Sequence, residues 1–217
     1  MDQKKLRDCL GLFTTGVIIA CARKKNFFSE GYFAEKIGEH FFEEKLKKFE
    51  DVWHKFFQEN SLGQKLEKKF PTQDYLEKIK KIFADEFFGM TINSFTSVSL
   101  EPPLVSFCID NKSSNLELFR KNRYFSLNIL SLQQKQLSSA FATPKNSSKW
   151  GVESYFFAKK GSPIFKNSLA FFECKKHKII KMGDHYIVIG EVLDFGKMSE
   201  ERPLLYHAGK YAEIGRC

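Results

Sequence analysis

The sequence contains no C-x-x-C pair, only 6 prolines and 2 tryptophans in 217 residues, and no apolar run long enough to cross a bilayer. Its five cysteines (Cys9, Cys21, Cys108, Cys174 and Cys217) are odd in number and unpatterned, which excludes a disulfide framework and a zinc site. Cys21, Cys108 and Cys174 sit within apolar, strand-like runs and read as inert core residues. The longest apolar run near the start, Gly16 to Ala22, follows a polar stretch, Met1 to Asp8, with no signal-peptidase site; it reads as a buried strand, and the expected location is cytoplasmic. No G-x-G-x-x-G follows a strand and no G-x-x-x-x-G-K-[ST] occurs, so neither a Rossmann nor a P-loop nucleotide site is expected. A Ser-His-Asp or Cys-His signature is also missing.

Phenylalanine is abundant, with 24 copies, and hydrophobic residues make up 42% of the chain, enough to build a full core. The net charge is +9, and it is unevenly placed. Residues 24–86 hold 13 basic and 13 acidic side chains, so the whole positive excess lies in the remainder of the chain. Such a field attracts anions, whether phosphate-bearing cofactors or nucleic acid; the plain alternative is a lysine-rich solvated surface. Aromatics interleave with lysine at Phe165-Lys166 and Phe172 to Lys176, yet no dense basic block or nucleic-acid motif is present, and nucleic acid is not the expected partner.

Three textures divide the chain. Residues 24–86 are helical by pattern: Phe33, Ile37, Phe41, Leu46, Phe49, Trp53 and Phe56 recur mostly at spacings of three or four. After Ser61-Leu62-Gly63, a second helix opens at Pro71-Thr72 with Leu76, Ile79, Ile82 and Phe83 on one face. A helical hairpin follows, with an aromatic stripe to bury. His40, Glu44, Lys47, Asp51 and His54 share one face of its first helix at spacings of three and four; the second helix offers Asp74 and Glu77 but no E-x-x-H, so they read as a solvated face, and no metal is expected.

The rest reads as strands: Val17 to Ala22, Met90 to Phe95, Leu104 to Ile109, Tyr124 to Leu130, Leu169 to Cys174 and Tyr186 to Leu193. Only two helices are expected among them, Asn115 to Lys121 and Leu132 to Phe141. Six modest strands with few helices suggest a mainly β protein built as an antiparallel barrel or sandwich.

Polar residues cluster at four points. Gly89 to Pro103 crowds short hydroxyl and amide side chains before a buried strand, suited to meeting a ring edge or a phosphate. Asp110-Asn111-Lys112-Ser113-Ser114-Asn115 follows that strand and opens a helix, where capping side chains and amides favour an anion; an ordinary cap and turn is the alternative. Gly183-Asp184-His185 precedes a strand, and Tyr206 to Tyr211 ends the chain's last patterned segment.

Gly89 to Pro103 resembles the signature of the flavin reductase family of FMN-binding split barrels. Thr15-Gly16-Val17 is similar to the end of that family's first helix and the start of its first strand. Gly183-Asp184-His185 with Gly190-Glu191-Val192 resembles its late strand, and Pro203 to His207 with Gly209 and Tyr211 its C-terminal ending. In order, these cover about residues 6–23 and 87–212. The resemblance implies a split β-barrel of Greek-key type over 1–23 and 87–217, with the helical hairpin 24–86 inserted where relatives have a short turn.

It further implies a homodimer that carries FMN or FAD near the subunit interface, takes hydride from NADH or NADPH, and supplies reduced flavin to a partner oxygenase. Thr91, Ile92, Asn93 and Ser94 would line the isoalloxazine. Ser97, Asn111, Lys112, Ser113 and Asn115 would approach the ribityl chain and phosphate. His185 would face the nicotinamide, with His207 and Tyr211 closing the pocket. Hydride chemistry belongs to the cofactors, so the absence of a nucleophile or metal motif is in keeping. The alternatives are a flavin-binding protein whose insertion covers the nicotinamide side, and a pyridoxamine-phosphate-oxidase-like role on a related barrel.

Overall fold

The computed structural model describes residues 2–24, 87–143 and 149–215; the helical hairpin expected within 24–86, with its aromatic stripe and polar face, lies outside the described residues. In chain order the elements are α1 (Gln3–Gly11), β1 (Thr15–Gly16), β2 (Ile18–Arg23), β3 (Phe87–Ile92), β4 (Thr96–Leu100), β5 (Pro103–Asp110), α2 (Leu116–Lys121) and β6 (Tyr124–Ile129). They continue with α3 (Lys135–Ala142), β7 (Tyr155–Phe157), β8 (Pro163–Phe165), β9 (Ala170–Met182), β10 (His185–Lys197), β11 (Leu205–His207) and β12 (Lys210–Ala212). The main sheet has seven strands, in the order β3-β2-β6-β9-β10-β5-β4, one more than the six expected, because Thr96–Leu100 forms a strand of its own against β5. β1, β11 and β12 make a small second sheet.

β2 pairs with β3 from Ile18↔Ile92 to Arg23↔Phe87, so the two strands flanking residues 24–86 form one ladder. Alternation explains the core. Along β5, Val105, Phe107 and Ile109 turn inward, while Leu104, Ser106 and Cys108 are only half buried. Phe107, Phe119 and Phe125 meet edge to face with centroids 5.4 to 6.0 Å apart, a geometry that suits the ring quadrupole. Gly190 is required by this cluster: a Cβ there would lie 2.5 Å from Phe125 Cζ. Burial holds the Cys21 and Cys174 thiols up at about 12, which fits inert core cysteines. Cys108, expected to be buried, is half exposed because it falls on the outward register of β5.

Several boundaries differ from expectation. β3 begins at Phe87, three residues before Met90, and β10 runs to Lys197, four residues past Leu193. β3 ends at Ile92 rather than Phe95, since its partner β2 begins opposite at Ile18; beyond it Ser94 Oγ accepts the Cys108 backbone N–H of β5 at 2.9 Å. β9 continues eight residues past Cys174 to Met182; its lysines occupy a solvated strand pattern that composition alone reads as loop. The segment 132–141 begins as a 3₁₀ turn, Leu132–Gln134, closed by a capping box between Ser131 and Gln134, before α3 starts at Lys135.

Candidate functional site

The polar cluster around 89–97 and that around 110–115 lie side by side. Ser94 and Cys108 bond through both Ser94 Oγ contacts, and Asp110 is only two residues further along the same strand. Asp110 in turn faces His185 across the β5–β10 ladder. The turn Gly183-Asp184 joins β9 to β10 in two residues, and Gly183 has φ +61°, the left-handed value that a II′ hairpin turn demands at its first central position. That turn is tied to the neighbouring loop because Asn111 N–H donates to the Asp184 carbonyl at 2.9 Å. Asn93, Ser94, Ser97, Asn111, Lys112, Ser113, Asn115 and His185 are therefore carried on adjoining strands and turns.

The amides of Asn111, Lys112, Ser113 and Asn115 are not free. Lys112 N–H bonds the Asp110 carboxylate at 2.7 Å, Ser113 N–H the Asp110 carbonyl at 3.0 Å, and Asn115 N–H the Ser113 hydroxyl at 3.3 Å. Asp110 has closed the loop as an Asx turn. This corrects the expectation of open amides at a helix start: Asn115 occupies the cap position of α2 but makes no side-chain cap bond. What the loop offers is side chains. Asn111 and Lys112 are exposed, and Ser113 and Asn115 half buried. Such a set of hydroxyls, amides and one ammonium fits a phosphorylated chain. Ile92 contributes no side chain, since it is buried in the core.

A second group sits beyond the other end of the 91–94 segment. Thr91 Oγ1 donates to the Ser138 carbonyl at 2.6 Å, and Ser138 Oγ lies 2.8 Å from Tyr211 Oη. Thr14 Oγ1 lies 2.8 Å from His207 Nδ1. Both partners belong to the β11–β12 hairpin, which also pairs with β1 at Thr15↔Tyr206. Through Ser138, Thr91 therefore links Tyr211 of the hairpin to the segment that carries Asn93 and Ser94.

His185 Nδ1 lies 2.7 Å from Asp184 Oδ1, and that bond holds the Asp184 carboxyl below its ordinary range, helped by the Arg7 guanidinium of α1. The bond fixes the ring and leaves Nε2 as its other polar atom. Thr14, Ser138 and Asp184 are missing from the expected site. Asp184 was legible as the neighbour of His185, whereas Thr14 and Ser138 lie 193 and 73 residues from the side chains they bond. Among the described residues no group of His, Cys, Asp and Glu is placed to hold a metal, and no helix is long and apolar enough to cross a membrane.

Residues 80–215 match the flavin reductase like domain. The chain is 40% identical over 123 residues to a flavin reductase of Pseudomonas putida, covering 57% of this chain and 72% of that one. It is 33% identical over 138 residues to the reductase subunit of a flavin-dependent monooxygenase from Mycobacterium tuberculosis, covering 63% of this chain and 73% of that one. Against the reductase subunit of stachydrine N-demethylase from Rhizobium meliloti it is 39% identical over 123 residues, but spans only 53% of that protein's length. The solved structure of the flavin reductase PheA2 superposes with a TM-score of 0.64 at 26% identity, over 100% of both chains. With the split-barrel sheet and the order of its motifs, these matches establish that the chain belongs to the flavin reductase-like domain family.

Proposed function

We infer the division of labour at this site: the chain is an NAD(P)H:flavin oxidoreductase, and its two polar clusters hold the flavin between them. The observation that carries the reading is the reciprocal bonding of Ser94 and Cys108, which brings the 91–97 segment against the 110–115 loop. Thr91, Asn93 and Ser94, with the backbone of Ile92, border the ring. Ser97, Asn111, Lys112, Ser113 and Asn115 hold the ribityl and phosphate end of FMN, or of FAD. The bound flavin supplies an acceptor for hydride from NADH or NADPH.

The residues bind, orient and shield. The Lys112 ammonium and nearby amides offset phosphate charge. Polar groups at the ring edge offset negative charge that develops during reduction. His185, fixed by Asp184, orients the nicotinamide, and His207 and Tyr211 close the far side and limit water. The flavin-binding unit comprises 1–23 and 87–217, with 24–86 as an insertion between β2 and β3.

A homodimer is supported by α1, none of whose side chains is buried, and by Phe13 just beyond it, 79% exposed; light scattering at micromolar concentration tests it. Reduced flavin is passed to an oxygenase, as the monooxygenase reductase subunits among the relatives suggest.

The test is flavin binding followed by turnover. Titrating FMN and FAD should perturb the visible flavin bands saturably, and NADH or NADPH should then be oxidised above the free-flavin background. Binding without oxidation would favour a non-catalytic flavin carrier, and no perturbation by either flavin would overturn the site.

A further inference from the structure

We propose that Ser138 is a positioning residue that locks the C-terminal hairpin to the 91–94 segment, so that the two sides of the flavin site move as one. The inference rests on the flavin site proposed above and adds a residue that makes no ligand contact itself.

Ser138 lies in the middle of α3 with 0% of its surface exposed. It uses two different atoms in two directions. Its carbonyl accepts the Thr91 hydroxyl at 2.6 Å, and its own hydroxyl lies 2.8 Å from Tyr211 Oη. α3 is the element that reaches both. Ser139 adds a longer contact to the same phenol at 3.5 Å, and the Lys135 ammonium sits 5.7 Å from the Tyr211 ring centroid.

Leu204, just before β11, is buried and bonded to Val17 and Leu130, but beyond it the hairpin has few side-chain ties among the described residues. β11 and β12 are three residues each, and all six are half buried or exposed. Beyond its pairing with β1, it is fixed by the Ala208 N–H bond to the Gly11 carbonyl at 2.7 Å and the Thr14–His207 contact. A short ribbon of this kind is marginal without side-chain anchors. Losing the Ser138 hydroxyl leaves the Tyr211 phenol without its shortest bond and frees the hairpin relative to Thr91. Tyr211 and His207 then close the pocket for only part of the time, which weakens flavin retention and leaves the nicotinamide side, at His185, unaltered.

The experiment is a double-mutant cycle in the full chain with Ser138→Ala and Tyr211→Phe, reading three quantities. Hydrogen exchange of peptides covering 203–215 should accelerate in both single variants without added flavin. The Kd for FMN should rise about threefold to tenfold in each, the range for one uncharged hydrogen bond. The double variant should be no worse than either single one. KM for NADH should stay at its wild-type value while KM for flavin rises; a general loss of fold would move both. Additive effects, or unchanged exchange in the hairpin, overturn the lock. Should Ser138→Ala fail to fold, Tyr211→Phe alone decides the matter, since that phenol is half buried and its ring is kept: unchanged exchange rejects the lock, and faster exchange supports it. If the wild-type chain binds no flavin, the site reading fails; the exchange data still report on the lock separately.

Discussion

The seven-stranded sheet and the β11–β12 hairpin are held by different forces. In the sheet, Phe107, Phe125 and Leu127, with Phe119 of α2 packed against the first two, are all but sealed from water, and each neighbour depends on the shape of the next. The hairpin contributes no buried side chain of its own and is fixed by hydroxyls, a phenol and one imidazole. Apolar packing is strong, non-directional and insensitive to where a ligand lies. Polar ties are weak and directional, which suits a wall that must meet a ligand in one orientation. On the proposed function, the sheet sets stability and the hairpin sets occupancy of the site.

Substitutions can break this contrast, beginning in the core. Phe119→Ala removes a ring that meets Phe88, Phe107 and Phe125 and should cost about 3–5 kcal/mol in urea unfolding. The folded fraction should keep its flavin affinity. Gly190→Ala inserts a methyl into the Phe125 ring and should cost about 1–3 kcal/mol by the same measurement. If either change altered flavin affinity more than stability, the separation of roles would be wrong.

Glu173 tests the sheet by charge. It is buried in β9, burial raises its carboxyl above the ordinary range, and the Lys160 backbone N–H bonding Oε1 at 2.7 Å partly opposes that. A raised value means the fold favours the protonated form, so this contribution is complete at low pH and is lost as pH rises through the folded value. Glu173→Gln keeps an acceptor for Lys160 and cannot ionise. Its melting temperature should match wild type near pH 4 and exceed it at pH 8, by on the order of 2 °C. An equal difference at both pH values would remove burial of charge as the cause.

The smallest effect belongs to the hairpin turn. Ala208 has φ +46° and Gly209 φ +77°, the two left-handed positions of a I′ turn. Ala208→Asn should stabilise by about 0.5 kcal/mol, because asparagine tolerates that conformation better than alanine. Hydrogen exchange across 205–212 should slow, with no change in urea midpoint slope.

Much of the sheet was legible because its strands carry apolar runs, unbroken at Ile18 to Ala22 and interrupted only by Ser106 at Leu104 to Ile109. The Gly183-Asp184-His185 turn was legible too, since its glycine and the strand after it are adjacent in sequence. What escaped reading depended on contacts distant in sequence. β3 ends three residues before its apolar pattern does, because β2, some seventy residues earlier, begins opposite Ile92 at Ile18. The lysines of β9 hid its extension, which exists because β10 pairs with it up to Met182. The loop amides at 111–113 read as available in the sequence, whereas Asp110 accepts the Lys112 and Ser113 N–H groups. Ser138 carries no signal at all in a helix of ordinary composition; its meaning comes from Thr91 and Tyr211 meeting it.

The β9–β10 ladder contains two register shifts, between Ile189 and Gly190 and between Val192 and Asp194. Each works as a notch in a ratchet: sliding the ribbon by one step would drive Gly190 away from the Phe125 ring and present a side chain there instead. The address of His185 is thus engraved in the middle of the strand, far from the residue itself. Extra residues grafted at the 183–184 tip would lengthen the overhang and leave the imidazole where it stands.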